Sequence, residues 1–216
     1  MRFTPVGSSL DAIEYWRGLL LHHVPEGAVT YSAELLAESP IVLHISRPRK
    51  TKLGHFKRTT SRSIPEISIN VDLGPERFLF TLIHEIAHWK AFDLYGRGIR
   101  PHGREWKSLF IELIRPLLQK EVFSPGIAAV IQEHLRSPKA SSCSDPQLQR
   151  AFDQAEGIHR PHLDEVPYGE VFTLSNGRSF IKGPRKRTRY LCQEVKSGKR
   201  YLIPGAIHVL DHVESV

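Results

Sequence analysis

At 216 residues, with 40% hydrophobic residues and a mean hydropathy of -0.28, the chain can bury a sizeable core as one domain, or as one domain with a small appendage. No apolar run reaches the roughly 18 residues that a membrane span needs, Met1–Gly7 lacks the apolar centre of a secretory signal, and two cysteines do not make a disulfide framework. A membrane protein and a disulfide-built secreted scaffold are therefore set aside, and a cytoplasmic protein with reduced thiols is expected; a net charge of +7 and a pI near 9.5 suggest an acidic partner.

In chain order, Leu10, Ile13, Trp16 and Leu19–Leu21 give a helix over 9–22, with Ser8 or Ser9 as its N-cap. Pro40–Ser46 reads as a strand, followed by a basic, turn-containing stretch to Pro65 and a strand at 66–71. Pro75 opens a helix that meets no further breaker until Gly96, with Phe78, Leu79, Leu82, Ile83, Ile86 and Ala87 at helical spacing. A second helix is expected over 102–120 through Trp106, Leu109, Phe110, Leu113 and Ile114, and a third from Ser124-Pro125 through Ile127, Val130, Ile131 and Leu135. Arg136–Ser142 is polar and breaker-rich, which marks a boundary and places Cys143 in a linker. A short helix at 146–156 follows. Then come two hairpins: 171–174 with 179–181 around Asn176-Gly177, and 188–195 with 200–203 around Ser197-Gly198, with Cys192 in a strand. The expected organisation is a domain over 1–136, a linker with a short helix over 137–166, which could also act as a lid, and a small basic β-hairpin domain over 167–216.

Within the breaker-free helix lies His84-Glu85-Ile86-Ala87-His88. At this spacing two imidazoles share one helical face and can hold one Zn²⁺, and Glu85 stands beside them as a candidate general base. The bland alternative is a pair of helix histidines making ordinary hydrogen bonds. A catalytic zinc needs a third protein ligand and an open fourth position. Downstream, Asp93 would point round the same helix, His102 would sit on the first turn of the next helix facing back, and Glu105 follows one turn later; His102 is favoured and Glu105 is the runner-up. Tyr95, Arg97 and Arg100, between the two helices, are candidates for stabilising an oxyanion.

His84-Glu85-x-x-His88, thirteen intervening residues and His102-Gly103-x-x-Trp106 resemble the SprT-like zinc metallopeptidases, the family that includes Spartan. Lys52-Leu53-Gly54-His55-Phe56 resembles that family's Leu-Gly-aromatic strand, and Ile67-Ser68-Ile69-Asn70 the strand before its active-site helix, so the resemblance spans about residues 10–120. It implies an α+β fold: a zincin-like helical metalloprotease domain with a small antiparallel sheet, here followed by a small all-β appendage. It also implies one Zn²⁺ on His84, His88 and His102, Glu85 as the catalytic residue, and cleavage of proteins bound or crosslinked to DNA, a DNA-repair role. The tail departs from the pattern. Many family members carry Cys-x-x-Cys zinc knuckles there, whereas Cys192 is the only cysteine after residue 143, so a second, structural zinc is not expected.

The basic charge is concentrated. Arg47–Arg62 holds seven Lys/Arg and no acid, and Arg178–Arg200 holds nine against the single acid Glu194. Arg49, Lys50, Lys52, Lys57 and Arg58 in the first stretch, and Arg178, Lys182, Arg185, Lys186, Arg187 and Arg189 in the second, are the candidate contacts to phosphate backbones, with DNA as partner and single strands a candidate form. His55, Phe56, Phe180, Tyr190 and Tyr201 among them could stack on bases, although core packing is the favoured reading for each. Three functions follow: a zinc endopeptidase acting on DNA-associated proteins, which could be nucleoid-associated; a DNA-binding protein whose zinc site is structural or inactive; and a zinc peptidase whose protein substrate involves no DNA. Oligomeric state is left open.

Overall fold

Past residue 140 the sequence turns from mixed helix and strand to mostly strand, and the computed structural model divides there, into Met1–Ala140 and Ser141–Val216. It describes residues 1–5, 9–49, 52–57, 63–136 and 145–213, so Lys50, Arg58 and Cys143 lie outside the described residues. None of the described helices is long and apolar enough to cross a membrane.

The first unit runs β1 (Arg2–Phe3), α1 (Ser9–Leu20), α2 (Val29–Ala37), β2 (Val42–Ser46), β3 (Gly54–Lys57), β4 (Glu66–Asn70), α3 (Pro75–Tyr95), α4 (Arg104–Gln119) and α5 (Pro125–Arg136). Its sheet has the order β1-β2-β4-β3. The sheet is mixed and not antiparallel as expected: β2 and β4 are parallel, with Leu43 beside Ile67 and Ile45 beside Ile69, whereas β3 runs antiparallel along the other side of β4. Alternation along a strand reports which face is buried and carries no information on direction, so this difference could not be read from sequence.

Pro75 starts α3 at its first turn, behind Gly74. From Arg77 to Ala87 every residue of this helix is buried, the pattern of a helix enclosed on all sides. It packs against β3 and β4, against α4, and against α2. Helix α2 was not foreseen; it is short, and polar Tyr31 and Ser32 interrupt its apolar run. Tyr31 instead reaches out, its hydroxyl donating to the Leu113 carbonyl at 2.9 Å and so tying α2 to α4.

The second unit contains α6 (Pro146–Ala155), β5 (Val171–Leu174), β6 (Ser179–Ile181), β7 (Arg185–Lys186), β8 (Arg189–Glu194), β9 (Arg200–Pro204) and β10 (Val209–Val213). Asp145 caps α6 by accepting from the Gln147 amide at 3.2 Å. All pairings in the sheet are antiparallel: β10-β5-β6-β8, with β7 and β9 also on β8. Both expected hairpins are present. Gly177 supplies the left-handed residue of the first turn (φ 78°) and Gly198 that of the second (φ 68°). The core comprises Leu163, Val166, Phe172, Leu174, Phe180, Cys192, Ile203 and Val209, with Tyr190 and Tyr201 packed against it. Because this unit begins at Ser141, the helix expected in a linker is part of it, and the unit is not all-β.

Candidate metal centre

Helix periodicity brings His84 and His88 onto one face of α3 with ring centroids 5.0 Å apart. His102 arrives differently from the sequence expectation. Helix α4 starts at Arg104 with Gly103 as its N-cap, so His102 lies in the preceding turn and not on the first helical turn. Gly103 donates to the Arg100 carbonyl at 2.9 Å, Pro101 takes the second position, and His102 the third with φ 59°. This is the pattern of a type II turn, whose third residue must have positive φ. The turn aims the ring back at α3.

The three side chains converge through the same atom. His102 Nε2 lies 3.1 Å from His84 Nε2 and 2.8 Å from His88 Nε2. Zinc–imidazole bonds of about 2.1 Å at tetrahedral angles need nitrogens about 3.4 Å apart, so a small outward adjustment suffices. His84, His88 and His102 form a group able to hold a metal ion, and neither Asp93 nor Glu105 joins it. Trp106 walls the site, 4.7 Å from the His84 ring and 4.6 Å from the His102 ring, and stacks in turn on Phe110.

This apolar surround sets the protonation state. Burial pushes the pKa of His84 well below the ordinary histidine value, aided by the imidazoles of His88, His102 and His134. Burial likewise takes His88 down to about 3, and lowers His102. Neutral imidazoles with lone pairs pointed at one spot are the donor set zinc uses.

Glu85 is 6% exposed and sits against β3. A Cβ at Gly54 would lie 2.5 Å from Glu85 Oε1 and 2.7 Å from Thr81 Cγ2, so only glycine lets the carboxylate lie here. Burial raises the Glu85 pKa to about 8, against the pull of the Phe56 backbone N–H, Arg49 and Lys52. The supporting role of Gly54 escaped the sequence reading, in which Leu53-Gly54 counted only as part of a strand.

Beside the histidines a cleft of about 460 Å³ is lined by Phe56, His88, Phe92, Gly96, Arg97, Ile99, Arg100, Pro101 and Trp106. Two of the three oxyanion candidates, Arg97 and Arg100, therefore face the cleft, whereas Tyr95 is 52% exposed and outside its lining.

The basic candidates separate sharply. Arg49 is engaged internally: its guanidinium donates to Asn70 Oδ1 at 2.8 Å, Ser68 Oγ at 2.8 Å, and the Leu53 and Ser68 carbonyls. It braces the end of β4 near Glu85. Lys182 is also engaged internally: it is buried, its ammonium donates to the Asp164 and Val166 carbonyls, and it lies 4.1 Å from the centre of the Tyr190 ring. Arg178 pairs with Glu194 at 2.6 Å and lies over the Phe180 and Tyr201 rings. Lys52, Lys57, Arg185, Lys186, Arg187 and Arg189 are exposed. Phe180 is core, as favoured from sequence.

The fold and site thus define an α+β protein with a three-histidine candidate metal centre on a His-Glu-x-x-His helix. The chain is 36% identical over 69 residues to Protein SprT of Pseudomonas syringae pv. tomato, covering 32% of this chain and 40% of that protein. Protein SprT of Pseudomonas aeruginosa is likewise 36% identical over 69 residues, and that of Pseudomonas fluorescens 35%, each with the same coverage. Over this region the chain is SprT-like, and it spans about 40% of the length of the curated relatives it matches. No protein-family model matches it, and neither does any solved structure.

Proposed function

We propose that the chain is a zinc-dependent metallopeptidase of zincin-like fold that hydrolyses peptide bonds in DNA-bound or DNA-crosslinked proteins. The observation carrying this reading is the convergence of three imidazole Nε2 atoms beside a buried carboxylate that is no ligand, at the edge of an open cleft. His84, His88 and His102 would hold the zinc. When bound, zinc supplies Lewis-acid chemistry, acidifying water and polarising a peptide carbonyl. Glu85 accepts the proton from the attacking water, and returns it to the departing amine as the C–N bond breaks. Burial sets this carboxyl apart from a solvated glutamate by raising its pKa. Gly54 and the Phe56 amide hold it in place, and Trp106, His88 and Phe56 line the cleft.

The exposed cations Arg185, Lys186, Arg187 and Arg189 supply the DNA contact, with affinity that falls as salt rises. One observation favours a second reading, a peptidase whose substrate needs no DNA: Arg49 and Lys182 are engaged inside the protein, which thins both basic stretches. The two are separated by proteolysis of a basic DNA-binding protein by the zinc-loaded chain, with and without single-stranded DNA, using Glu85→Gln as control. Cleavage that needs both Glu85 and DNA supports the first reading. Cleavage indifferent to DNA supports the second. Zinc and DNA binding with no cleavage would leave a binding protein and defeat both.

A further inference from the structure

A second cluster of metal-binding side chains stands in the Ser141–Val216 unit, apart from the His84 centre. Asp153, on α6, is 3% exposed. His162 Nε2 approaches Asp153 Oδ2 at 3.0 Å, and His208 Nε2 approaches the same oxygen at 3.2 Å. The three ligand atoms satisfy the mutual distances of a metal site. Bonds of about 2.0–2.1 Å to nitrogen and carboxylate oxygen, at tetrahedral angles, separate the ligand atoms by about 3.3 Å, so the two imidazole–carboxylate separations need only a small outward adjustment to take zinc.

The backbone holds both imidazoles in register. His162 and His208 face each other across an isolated antiparallel bridge, flanked by Leu163 donating to the Ile207 carbonyl at 2.9 Å and Val209 to the Pro161 carbonyl at 3.0 Å. Their rings are 4.5 Å apart. On the far side of the His162 ring, Nδ1 lies 3.0 Å from the Ala206 carbonyl. That acceptor keeps a proton on Nδ1 and leaves the Nε2 lone pair directed at Asp153, the arrangement by which a backbone carbonyl orients a metal-ligating histidine. His208 is one-third exposed, which gives an ion a way in and leaves room for a water as fourth ligand.

A proton shared between His162 and Asp153 is the competing occupant, and the hydrogen bond to Asp153 raises the His162 pKa. The size of the unit argues for an ion. Its described residues include ten buried apolar side chains, the eight of the sheet core with Leu148 and Phe152 of α6, and small units with so little core commonly need a metal or disulfide staple. Cys192 is a free thiol, so no disulfide staples the described residues of the unit. Two imidazoles and one carboxylate suit zinc better than the all-oxygen cations.

We propose that Asp153, His162 and His208 bind a second zinc ion, which clamps α6 to the bridge between His162 and His208 and so staples the unit together. The expectation of a single zinc rested on the missing cysteine knuckles, and nitrogen and oxygen donors from three separate segments take their place here. The site is independent of the peptidase reading, and its failure would leave that reading intact.

The test uses the full chain with His84→Ala and His88→Ala, which disables the first centre, titrated with Zn²⁺ against a chromophoric chelator at about pH 7.5, where imidazoles are free to bind. About one equivalent should bind per chain, against about two for the unsubstituted protein. Adding Asp153→Asn and His208→Gln should remove it. Absence of zinc binding in the first variant overturns the site, and so does an equivalent that survives the added substitutions unchanged. Should Asp153→Asn fail to fold, His208→Gln alone alters a side chain that is partly exposed and should weaken binding at least about tenfold. Unchanged affinity in that variant also overturns the proposal.

Discussion

The two histidine clusters use similar side chains in opposite ways. At His84, His88 and His102 all three donors are nitrogens, the surroundings are aromatic, and the nearby acid, Glu85, stands outside the donor group beside an open cleft. At Asp153, His162 and His208 the acid is itself a donor, and one carboxylate oxygen faces both imidazoles. Burial lowers the pKa of the first set, whereas the hydrogen bond to Asp153 raises that of His162 in the second. An acid kept out of the donor group remains available to move protons, whereas an acid inside it can only fix the ion. On this ground the first cluster suits chemistry and the second suits cohesion.

The strongest way to break that contrast is Glu85→Gln. It should lower peptide hydrolysis by about 10³-fold while zinc content stays that of the unsubstituted chain. Metal analysis alongside a cleavage assay reads both, and loss of zinc with loss of activity would make Glu85 a ligand and erase the distinction. Gly54→Ala sharpens it. The new methyl meets Glu85 and Thr81 first and displaces the Glu85 carboxylate, so kcat should fall about 10- to 100-fold with zinc affinity unchanged. A normal kcat would show that Glu85 acts from a different position.

A smaller effect separates surface charge from structural charge in the second unit. Removing Lys186 or Arg187 should each reduce the salt dependence of DNA binding by about one unit of slope, whereas Lys182→Met should leave the slope alone and lower thermal stability. Equal slopes for all three variants would remove these cations from any DNA surface.

The smallest effect lies outside both clusters. Burial raises the Tyr31 hydroxyl to about 12, above the ordinary tyrosine value, because the neutral form donates to Leu113 from a half-buried position among acids. The associated stability is therefore whole below the unfolded-state pKa of about 10 and is lost as pH rises toward the folded value. Allowing for screening at a half-exposed site, the loss should be about 1 kcal/mol, and Tyr31→Phe should flatten the decline in unfolding free energy across this alkaline range. A decline of unchanged steepness in the variant would assign the alkaline sensitivity to other groups.

How much of this could be read before any coordinates? Where local chemistry dictates local structure, the reading held closely: Pro75 and Gly96 bracket α3, and Asn176-Gly177 and Ser197-Gly198 mark real turns. His84 and His88 share a face because helical periodicity leaves no other arrangement. His102 was named as the third side chain to converge on His84 and His88, and it does so although its setting differs, since a Pro-x-Gly turn and a first helical turn present the same residues in sequence. Direction and depth were not legible. The parallel pairing of β2 with β4 depends on which neighbour each strand finds, and β7, β10 and α2 are too short or too interrupted to announce themselves.

By itself the sequence determined the His-Glu-x-x-His helix, the hairpins of the second unit and the clustering of basic charge along the chain, because each is a property of residues near one another in the chain. Tertiary structure decided the rest. It alone drew Arg49 and Lys182 inward, set Glu85 against the bare backbone of Gly54, and brought Asp153, His162 and His208 to one point from segments far apart in sequence. Burial and convergence are produced by packing between distant segments, and no local pattern in the chain encodes them.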